Sequence, residues 1–284
     1  MNNLSDLRVI KGILNRHKVK LSKSFGQNFL IDPSVCPRMA DESIIDDETG
    51  VIEIGPGIGV LTVELAKRAK RVVSVELDKK LIPVLSETLK DFDNVEVLNE
   101  DILKLDLKKL IDEKFKGMKV VVCANLPYYI TSPVIMHLLE SELEIESITV
   151  MVQLEAAQRL TAQVGSRQAG AITVAVNYYA KSEKLFDVSR TSFYPAPKVE
   201  SAVIRLEIRE EPPIKIKNEI RFFRFVRAAF GQRRKTAANS LSAGLALPKD
   251  KVIDAIRRAG FDSNIRAEAL SMEELAKLFE YLED

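Results

Sequence analysis

The sequence contains few of the residue types that build metal and redox centres. Its 284 residues include two cysteines, two histidines and no tryptophan. Cys36 and Cys123 are too few for a disulfide framework or a cysteine-based zinc set. His17 and His137 are likewise too few for a histidine metal centre. We therefore predict a protein that needs no metal.

Long apolar runs are also missing. No uninterrupted apolar stretch approaches the roughly 20 residues that cross a bilayer. The opening segment MNNLSDLRVIKG lacks the apolar region of a secretory signal. The contents of 46% hydrophobic and 29% charged residues are those of an ordinary globular protein. These features predict a cytoplasmic protein without membrane contact, for which a monomer is the default expectation.

Positive charge is concentrated in two stretches, although the net charge is only +1. Residues 1–24 contain six basic residues against one acid, and residues 214–240 contain eight against one. Such segregation predicts a positive footprint for nucleic acid, with solvated helical faces as the alternative. The residues expected to contact RNA phosphates are Arg221, Arg224, Arg233, Arg234 and Lys235.

The order of apolar patterns indicates an α/β fold. From about 50 to 153, short β-branched runs alternate with amphipathic segments, which predicts a parallel sheet with helices on both faces. AGAITVAVNYYA, near residue 175, fits strand or helix. REEPPIKIKN is the best linker, and everything after it has helical spacing. We predict a basic N-terminal extension (1–24), a catalytic domain (25–208) and a small all-helical C-terminal domain (209–284).

A glycine turn and two acids indicate a nucleoside cofactor. VIEIGPGIG puts Gly55, Gly57 and Gly59 between the first strand of the sheet and its helix, where a ligand can approach the backbone. Glu76 ends the next strand and can accept hydrogen bonds from ribose hydroxyls, and Asp101 ends the third strand at the same edge. The G-x-G-x-G spacing departs from the dinucleotide fingerprint G-x-G-x-x-G. It favours S-adenosylmethionine, while Glu76 alone leaves a dehydrogenase open.

The segment NLPY at the end of the fourth strand points to adenine as the target. Adenine N6 is a poor nucleophile, and two fixed acceptors can draw it toward tetrahedral geometry: the side-chain oxygen of Asn125 and the carbonyl of Leu126. Pro127 fixes φ and so aims that carbonyl. Tyr128 offers a ring on which the base can stack. A strand end that merely terminates at proline is the alternative.

Several motifs together resemble the bacterial KsgA family, which dimethylates adenosines of small-subunit ribosomal RNA. They are SFGQNFLID, EIGPGIGVLT, NLPYYITSP, FYPAPKVESAVIRL, FGQRRKT and RAEALSMEELAKL, and the similarity runs from about 20 to 278. The resemblance implies a Rossmann-like class I methyltransferase that uses S-adenosylmethionine. Its implied substrate is a pair of adjacent adenosines in the hairpin loop near the 3′ end of 16S RNA, methylated during small-subunit biogenesis.

The resemblance also implies roles for individual residues. Phe193 would close on the target base opposite Tyr128, and Asn125 would lie beside both cofactor and target amine. The chain departs from the family pattern at Leu154, Glu155, Ala169, Ser189 and Arg190, around the target-base side. Cofactor contacts are expected at Asn28, Leu30, Gly55, Gly57, Glu76, Asp101 and Asn125.

Three other functions compete with this interpretation. A macrolide-resistance methyltransferase has the same chemistry on large-subunit RNA, although that family more often has N-I-P where this chain has NLPY. A ribosome-assembly factor would bind RNA without useful catalysis. An NAD-dependent dehydrogenase is disfavoured by the glycine spacing and by the lack of a histidine suited to hydride chemistry.

Overall fold

A seven-stranded sheet carries the candidate site. The computed structural model describes residues 4–19 and 28–283. In that part of the chain the strands are β1 Phe29–Leu30, β2 Thr49–Ile54, β3 Arg71–Val75, β4 Val95–Leu98, β5 Lys119–Asn125, β6 Ser147–Gln153, β7 Ala180–Val188, β8 Phe193–Tyr194 and β9 Ser201–Ile208. The order in the large sheet is β4-β3-β2-β5-β6-β9-β7, while β1 and β8 form a separate pair.

The helices follow the predicted alternation with the strands. They are α1 Leu7–Arg16, α2 Val35–Asp41, α3 Val60–Ala66, α4 Ile82–Thr88, α5 Leu107–Lys114, α6 Thr131–Glu140, α7 Leu154–Leu160, α8 Ala171–Tyr179, α9 Glu219–Phe230, α10 Ala237–Leu245, α11 Lys249–Arg258 and α12 Met272–Glu283. The ambiguous segment AGAITVAVNYYA resolves into α8, and β7 begins at its last residue, Ala180. None of the described helices is long and apolar enough to cross a membrane.

The sheet reverses its strand order at the site. Strands β2 to β6 are parallel, and β9 runs antiparallel to β6. All six residues of β2 are buried, as expected for a central strand covered on both faces. Ile54 lies opposite Val75 of β3 and Ala124 of β5, so the residues after these strands meet at one edge. Since β3 and β5 lie on opposite sides of β2, this edge is a switch point, where open α/β sheets bind ligands.

The compact units differ from the predicted domains at residues 158–182 and at the N-terminal extension, whose described residues belong to the first unit. One unit contains the described residues up to Ala157 together with Glu183–Ile208, and the other contains Gln158–Ser182 and the described residues from Arg209. The sequence assigned 158–182 to the catalytic domain. In the structure the Tyr178 ring packs edge-on against Phe223, and its hydroxyl donates to Glu219 at 2.8 Å. Residues 158–182 therefore belong with the helices that follow residue 208.

The predicted N-terminal extension contains a packed helix. Ile10, Ile13 and Leu14 of α1 are buried in a cluster with Phe29 and Leu85. Their spacing makes one apolar face, which packs within the first unit, to which α1 belongs, while the basic residues remain on the other side. Residues 20–27 lie outside the described residues. They include Lys20 and Lys23, two of the six basic residues counted in the extension, and the SFGQ part of the first motif.

Candidate active site

A cavity of about 310 Å³ lies at the carboxyl ends of β2, β3, β4 and β5. This volume is at the lower end of the roughly 300–1,000 Å³ usual for ligand pockets. Every residue that the sequence assigned to cofactor or target base lines this one cavity: Asn28, Leu30, Gly55, Gly57, Glu76, Asp101, Asn125, Leu126, Pro127, Tyr128 and Phe193. Their common location supports the assignments, and their individual roles remain predictions.

The glycine turn leaves open space in the cavity at Gly55. Its φ is +68°, a conformation that favours glycine, and its N–H donates to the Val75 carbonyl at 2.9 Å. A Cβ built on Gly55 would meet no heavy atom within 4 Å. The backbone here is therefore accessible to a ligand.

The Glu76 carboxylate is buried but oriented by the backbone. Its side chain accepts hydrogen bonds from the N–H of Gly57 at 3.2 Å and from that of Asp78 at 2.8 Å. Burial raises the pKa of Glu76, and these two hydrogen bonds oppose the rise. On the next strand end, Asp101 accepts from the Leu103 N–H at 3.1 Å. Two carboxylates thus stand on the β3 and β4 side of the cavity.

The NLPY segment forms a rigid turn directly after β5. Asn125 is the last residue of β5, and the buried Leu126 donates its N–H to the Met151 carbonyl at 3.2 Å. Pro127 has φ −56° and ψ 131°, and a short 3₁₀ helix follows from Tyr128 to Ile130. The Tyr128 hydroxyl lies 2.8 Å from Ser201 Oγ, and burial raises its pKa. The ring is thereby fixed at the cavity wall.

Two short strands, β1 and β8, pair with each other and join two segments of the first unit that are far apart in the sequence. Leu30 of β1 lies opposite Phe193 of β8, and the Ile31 N–H donates to the Ser192 carbonyl at 2.8 Å. Ser192 Oγ also donates to Asp32 at 3.1 Å. This ladder brings the predicted cofactor residues near the N-terminus beside the predicted target-base residue Phe193. No pattern in the sequence around either strand predicts this pairing.

Three departures from the family pattern lie around Glu200. Its carbonyl accepts from the Leu154 N–H at 3.0 Å, and its carboxylate accepts from the Arg190 N–H at 2.6 Å. Ser189 caps the turn before Phe193, with its Oγ accepting from the Thr191 N–H at 3.2 Å. These residues therefore support the segments around Phe193 and Ser201.

Glu53 is a site residue that the sequence reasoning missed. It lines the cavity from the interior of β2 and is 1% exposed. One carboxyl oxygen accepts from Ser74 Oγ at 2.7 Å, and among the described residues the other has no partner. Burial, assisted by the nearby Glu76 carboxylate, raises the pKa of Glu53 to about 7. The sequence signal that could have identified Glu53 is its position as an acid inside the apolar run VIEIG, where a buried side chain is expected.

We expect Glu53 to make the stability pH-dependent. Its pKa rises from 4.5 to about 7 on folding, so the folded state binds the extra proton. The associated stability is full below pH 4.5 and is lost as the pH rises through 7. At ~1.4 kcal/mol per pKa unit, the loss in unfolding free energy approaches about 3 kcal/mol by about pH 8. Chemical denaturation across this range measures it. Glu53→Gln should flatten the curve, and equal slopes in the two proteins would contradict the assignment.

The predicted RNA-binding residues belong to the second unit. Arg221 and Arg224 lie on the exposed face of α9, and Arg233, Arg234 and Lys235 lie exposed in the connection to α10. Arg221 forms an ion pair with Glu283 at 2.7 Å, and Arg233 donates to the Arg167 carbonyl at 3.2 Å. Arg221 therefore ties α9 to α12, which the sequence reasoning did not foresee.

Comparison with known proteins identifies relatives over nearly the whole chain. The chain is 46% identical over 279 residues to the ribosomal RNA small subunit methyltransferase A of Alkaliphilus oremlandii (strain OhILAs), covering 98% of this chain and 97% of that protein. It is 47% identical over 276 residues to the protein of the same name from Anoxybacillus flavithermus (strain DSM 21510 / WK1), covering 96% and 94%.

Solved structures agree on the fold. The crystal structure of the 23S rRNA methyltransferase ErmE is 32% identical, with a TM-score of 0.66, and the match covers 90% of this chain and all 100% of that one. A dimethyladenosine transferase from Plasmodium falciparum is 25% identical, with a TM-score of 0.70 and coverage of 88% and 95%. The predicted Rossmann-like methyltransferase sheet is confirmed. A family model described as ribosomal RNA adenine dimethylase matches residues 18–284, and the chain belongs to this family.

Proposed function

We propose that the chain transfers methyl groups from S-adenosylmethionine to N6 of two adjacent adenosines in the hairpin loop near the 3′ end of 16S rRNA. The substrate is the small ribosomal subunit or its precursor. The carrying observation is that the NLPY turn and the Glu76 carboxylate face one cavity at the switch point of a methyltransferase sheet. On each adenosine the first transfer gives N6-methyladenosine and the second gives N6,N6-dimethyladenosine.

The residues present fit this cofactor. The buried Glu76 carboxylate suits a partner with hydroxyl donors such as ribose, and Asp101 suits the adenine amine. Gly55 leaves its side of the cavity open, and Asn28 and Leu30 also line the cavity. S-adenosylmethionine supplies an electrophilic methyl group and leaves as S-adenosylhomocysteine. The cavity residues hold it in place and exclude water.

The chemistry at the target amine requires no strong base. In the first transfer the Asn125 side-chain oxygen and the Leu126 carbonyl accept hydrogen bonds from the two N–H groups of the amine. In the second transfer one N–H remains for these two acceptors. In both cases the nitrogen lone pair turns toward the incoming methyl group. After alkylation the nitrogen is far more acidic, and one proton leaves to solvent for each methyl added. Tyr128 and Phe193 flank the base, and stacking contributes about 1–3 kcal/mol for each ring. Catalysis is then mainly orientation.

Similarity favours small-subunit RNA over the large-subunit alternative. The chain is 46–47% identical to small-subunit methyltransferases and 32% identical to the 23S enzyme ErmE. Because every residue proposed to act on the target amine lines the cavity, an exclusively non-catalytic assembly role is disfavoured. The test is transfer of tritiated methyl groups to unmodified 30S and 50S subunits in parallel. Dimethyladenosine in 30S RNA supports the proposal, and label confined to 50S, or absent from both, would refute it.

The open space at Gly55 gives a test of cofactor binding. Gly55→Ala adds a methyl group to the cavity wall at a φ of +68°, and we expect at least about tenfold weaker binding of S-adenosylhomocysteine by calorimetry. Gly117→Ala is the matched control, because Gly117 has a φ of +75° and equally open space away from this cavity. Both variants should lose about 1 kcal/mol of stability from the left-handed conformation. Equal affinities in the two would place Gly55 outside the ligand site.

We further propose that Arg224, Arg234 and Lys235 bind RNA phosphates. All three are exposed, and the ion pairs found among the described residues do not involve them. Arg234→Gln should weaken RNA binding regardless of sequence and reduce the slope of log affinity against log salt by about 1. Lys116→Gln is the control, since it removes one exposed positive charge outside the basic stretch 214–240. An unchanged slope for Arg234→Gln would remove it from the interface.

A further inference from the structure

Exposed apolar side chains gather at the mouth of the cavity. In the described part of the chain, six large apolar side chains are exposed: Ile44, Leu77, Leu103, Tyr129, Val199 and Ile220. Three of them, Leu77, Leu103 and Tyr129, line the cavity. Single exposed apolar residues are normal, but a group at one cavity mouth marks a surface that a ligand covers.

The strand order divides this rim into two halves. Leu77 follows β3 directly after Glu76, and Leu103 follows β4 two residues after Asp101, the second acid predicted to bind the cofactor. Tyr129 follows β5, on the other side of β2. The aromatic member of the rim therefore stands with Asn125 on the target-base half. Strand β2 lies between Tyr129 and the half of the rim that carries Leu77 and Leu103.

Tyr128 and Tyr129 are neighbours on the same 3₁₀ turn with opposite environments. Tyr128 is partly buried and its hydroxyl contacts Ser201. Tyr129 is 56% exposed, and no hydrogen bond to its hydroxyl occurs within the described residues. Its exposed ring thus lacks the packing that would explain an aromatic residue here. A flat apolar ring at the edge of an adenine site is suited to a second base.

We propose that Tyr129 is a stacking platform for the nucleotide next to the target adenosine. This inference rests on the proposed function. The single-stranded loop leaves bases free to unstack from one another and to stack on protein aromatics. With one adenosine in the cavity against Tyr128, the adjacent base lies on Tyr129. Tyr129 then selects a target with a large flat neighbour, and the second adenosine supplies it.

The test uses unmodified hairpin RNA with 2-aminopurine in place of the adenosine next to the target. Its fluorescence falls when it stacks, whether or not methyl transfer occurs. We expect wild-type protein to quench it in the presence of S-adenosylhomocysteine. Tyr129→Ala should abolish the quenching and raise KM for RNA about tenfold with kcat little changed, and Tyr129→Phe should restore both.

Leu77→Ala is the matched variant from the other half of the rim. It should weaken S-adenosylhomocysteine binding and leave the quenching intact, whereas Tyr129→Ala should leave cofactor affinity intact. The stacking role of Tyr129 would be refuted by any of three results. They are quenching that persists in Tyr129→Ala, weaker S-adenosylhomocysteine binding in that variant, and failure of Tyr129→Phe to restore KM. Absence of methyl transfer by the wild type on any RNA would instead refute the proposed function, since the fluorescence readout is independent of transfer.

Discussion

Asn125→Ala is expected to slow methyl transfer to RNA by about 100- to 1,000-fold, the usual cost of losing one positioned hydrogen-bonding group. The substitution removes the side-chain acceptor at the end of β5 and leaves the Leu126 carbonyl as the single acceptor for two N–H bonds. The target amine then keeps its planar geometry and its lone pair stays in the ring. Single-turnover transfer with both ligands saturating measures the effect directly.

Two controls define the cause of this loss. Asn125→Asp keeps an acceptor oxygen in the same position and should retain more activity than alanine. Because we also propose that Asn125 contacts the cofactor, S-adenosylhomocysteine affinity should be measured for each variant by calorimetry. An Asn125→Ala enzyme with near wild-type turnover would show that orientation of the amine depends on other groups, and our mechanism would be wrong.

Glu76→Ala is expected to weaken S-adenosylhomocysteine binding by about 100-fold or more. Hydrogen bonds to a charged group contribute about 1.5–3 kcal/mol each, and we assign two ribose hydroxyls to this carboxylate. The variant also leaves the Gly57 and Asp78 N–H groups without their acceptor, so the glycine turn loses its support. Calorimetric titration measures the affinity, and thermal melting without ligand measures the separate cost to stability.

Glu100→Gln is a suitable control, because Glu100 is an exposed acid on the same cavity. The affinity of the Glu100→Gln variant for S-adenosylhomocysteine should stay close to that of the wild type. The raised pKa of Glu76 gives a second signature: cofactor affinity falls as the pH is lowered toward that pKa, because protonation removes an acceptor. Glu76→Gln should lack this dependence. Comparable losses in the Glu76 and Glu100 variants would indicate a general effect of charge.

The sequence predicted which strand-end residues meet at one cavity, because the signals for these residues are local. Apolar runs followed by a glycine, an acid or an amide identify strand ends, and parallel strands align those ends. Gly55, Glu76, Asp101 and Asn125 follow this rule and line one cavity. Pro127 identified the turn for the same reason, since its effect on φ depends on no distant contact.

Other features depend on contacts between residues far apart in the sequence, or carry a sequence signal that points to more than one structure. The pairing of Leu30 with Phe193 joins positions more than half the chain apart, and two-residue strands have no periodicity to detect. Glu53 was readable as an acid within a buried strand, but only packing shows that its carboxyl reaches the cavity. In α1, Ile10, Ile13 and Leu14 have the spacing of one packed helix face, but Lys11 between them and the flanking basic residues made positive charge the stronger sequence signal.

The ladder between β1 and β8 has a thermodynamic consequence. One strand carries Leu30, which we propose to contact the cofactor, and the other carries Phe193, which we propose to contact the target base, so ordering either strand favours order in its neighbour. A ligand that fixes one strand therefore lowers the entropic cost of binding at the other. Linkage makes such coupling reciprocal: the factor by which the cofactor product tightens RNA binding equals the factor by which RNA tightens binding of the product.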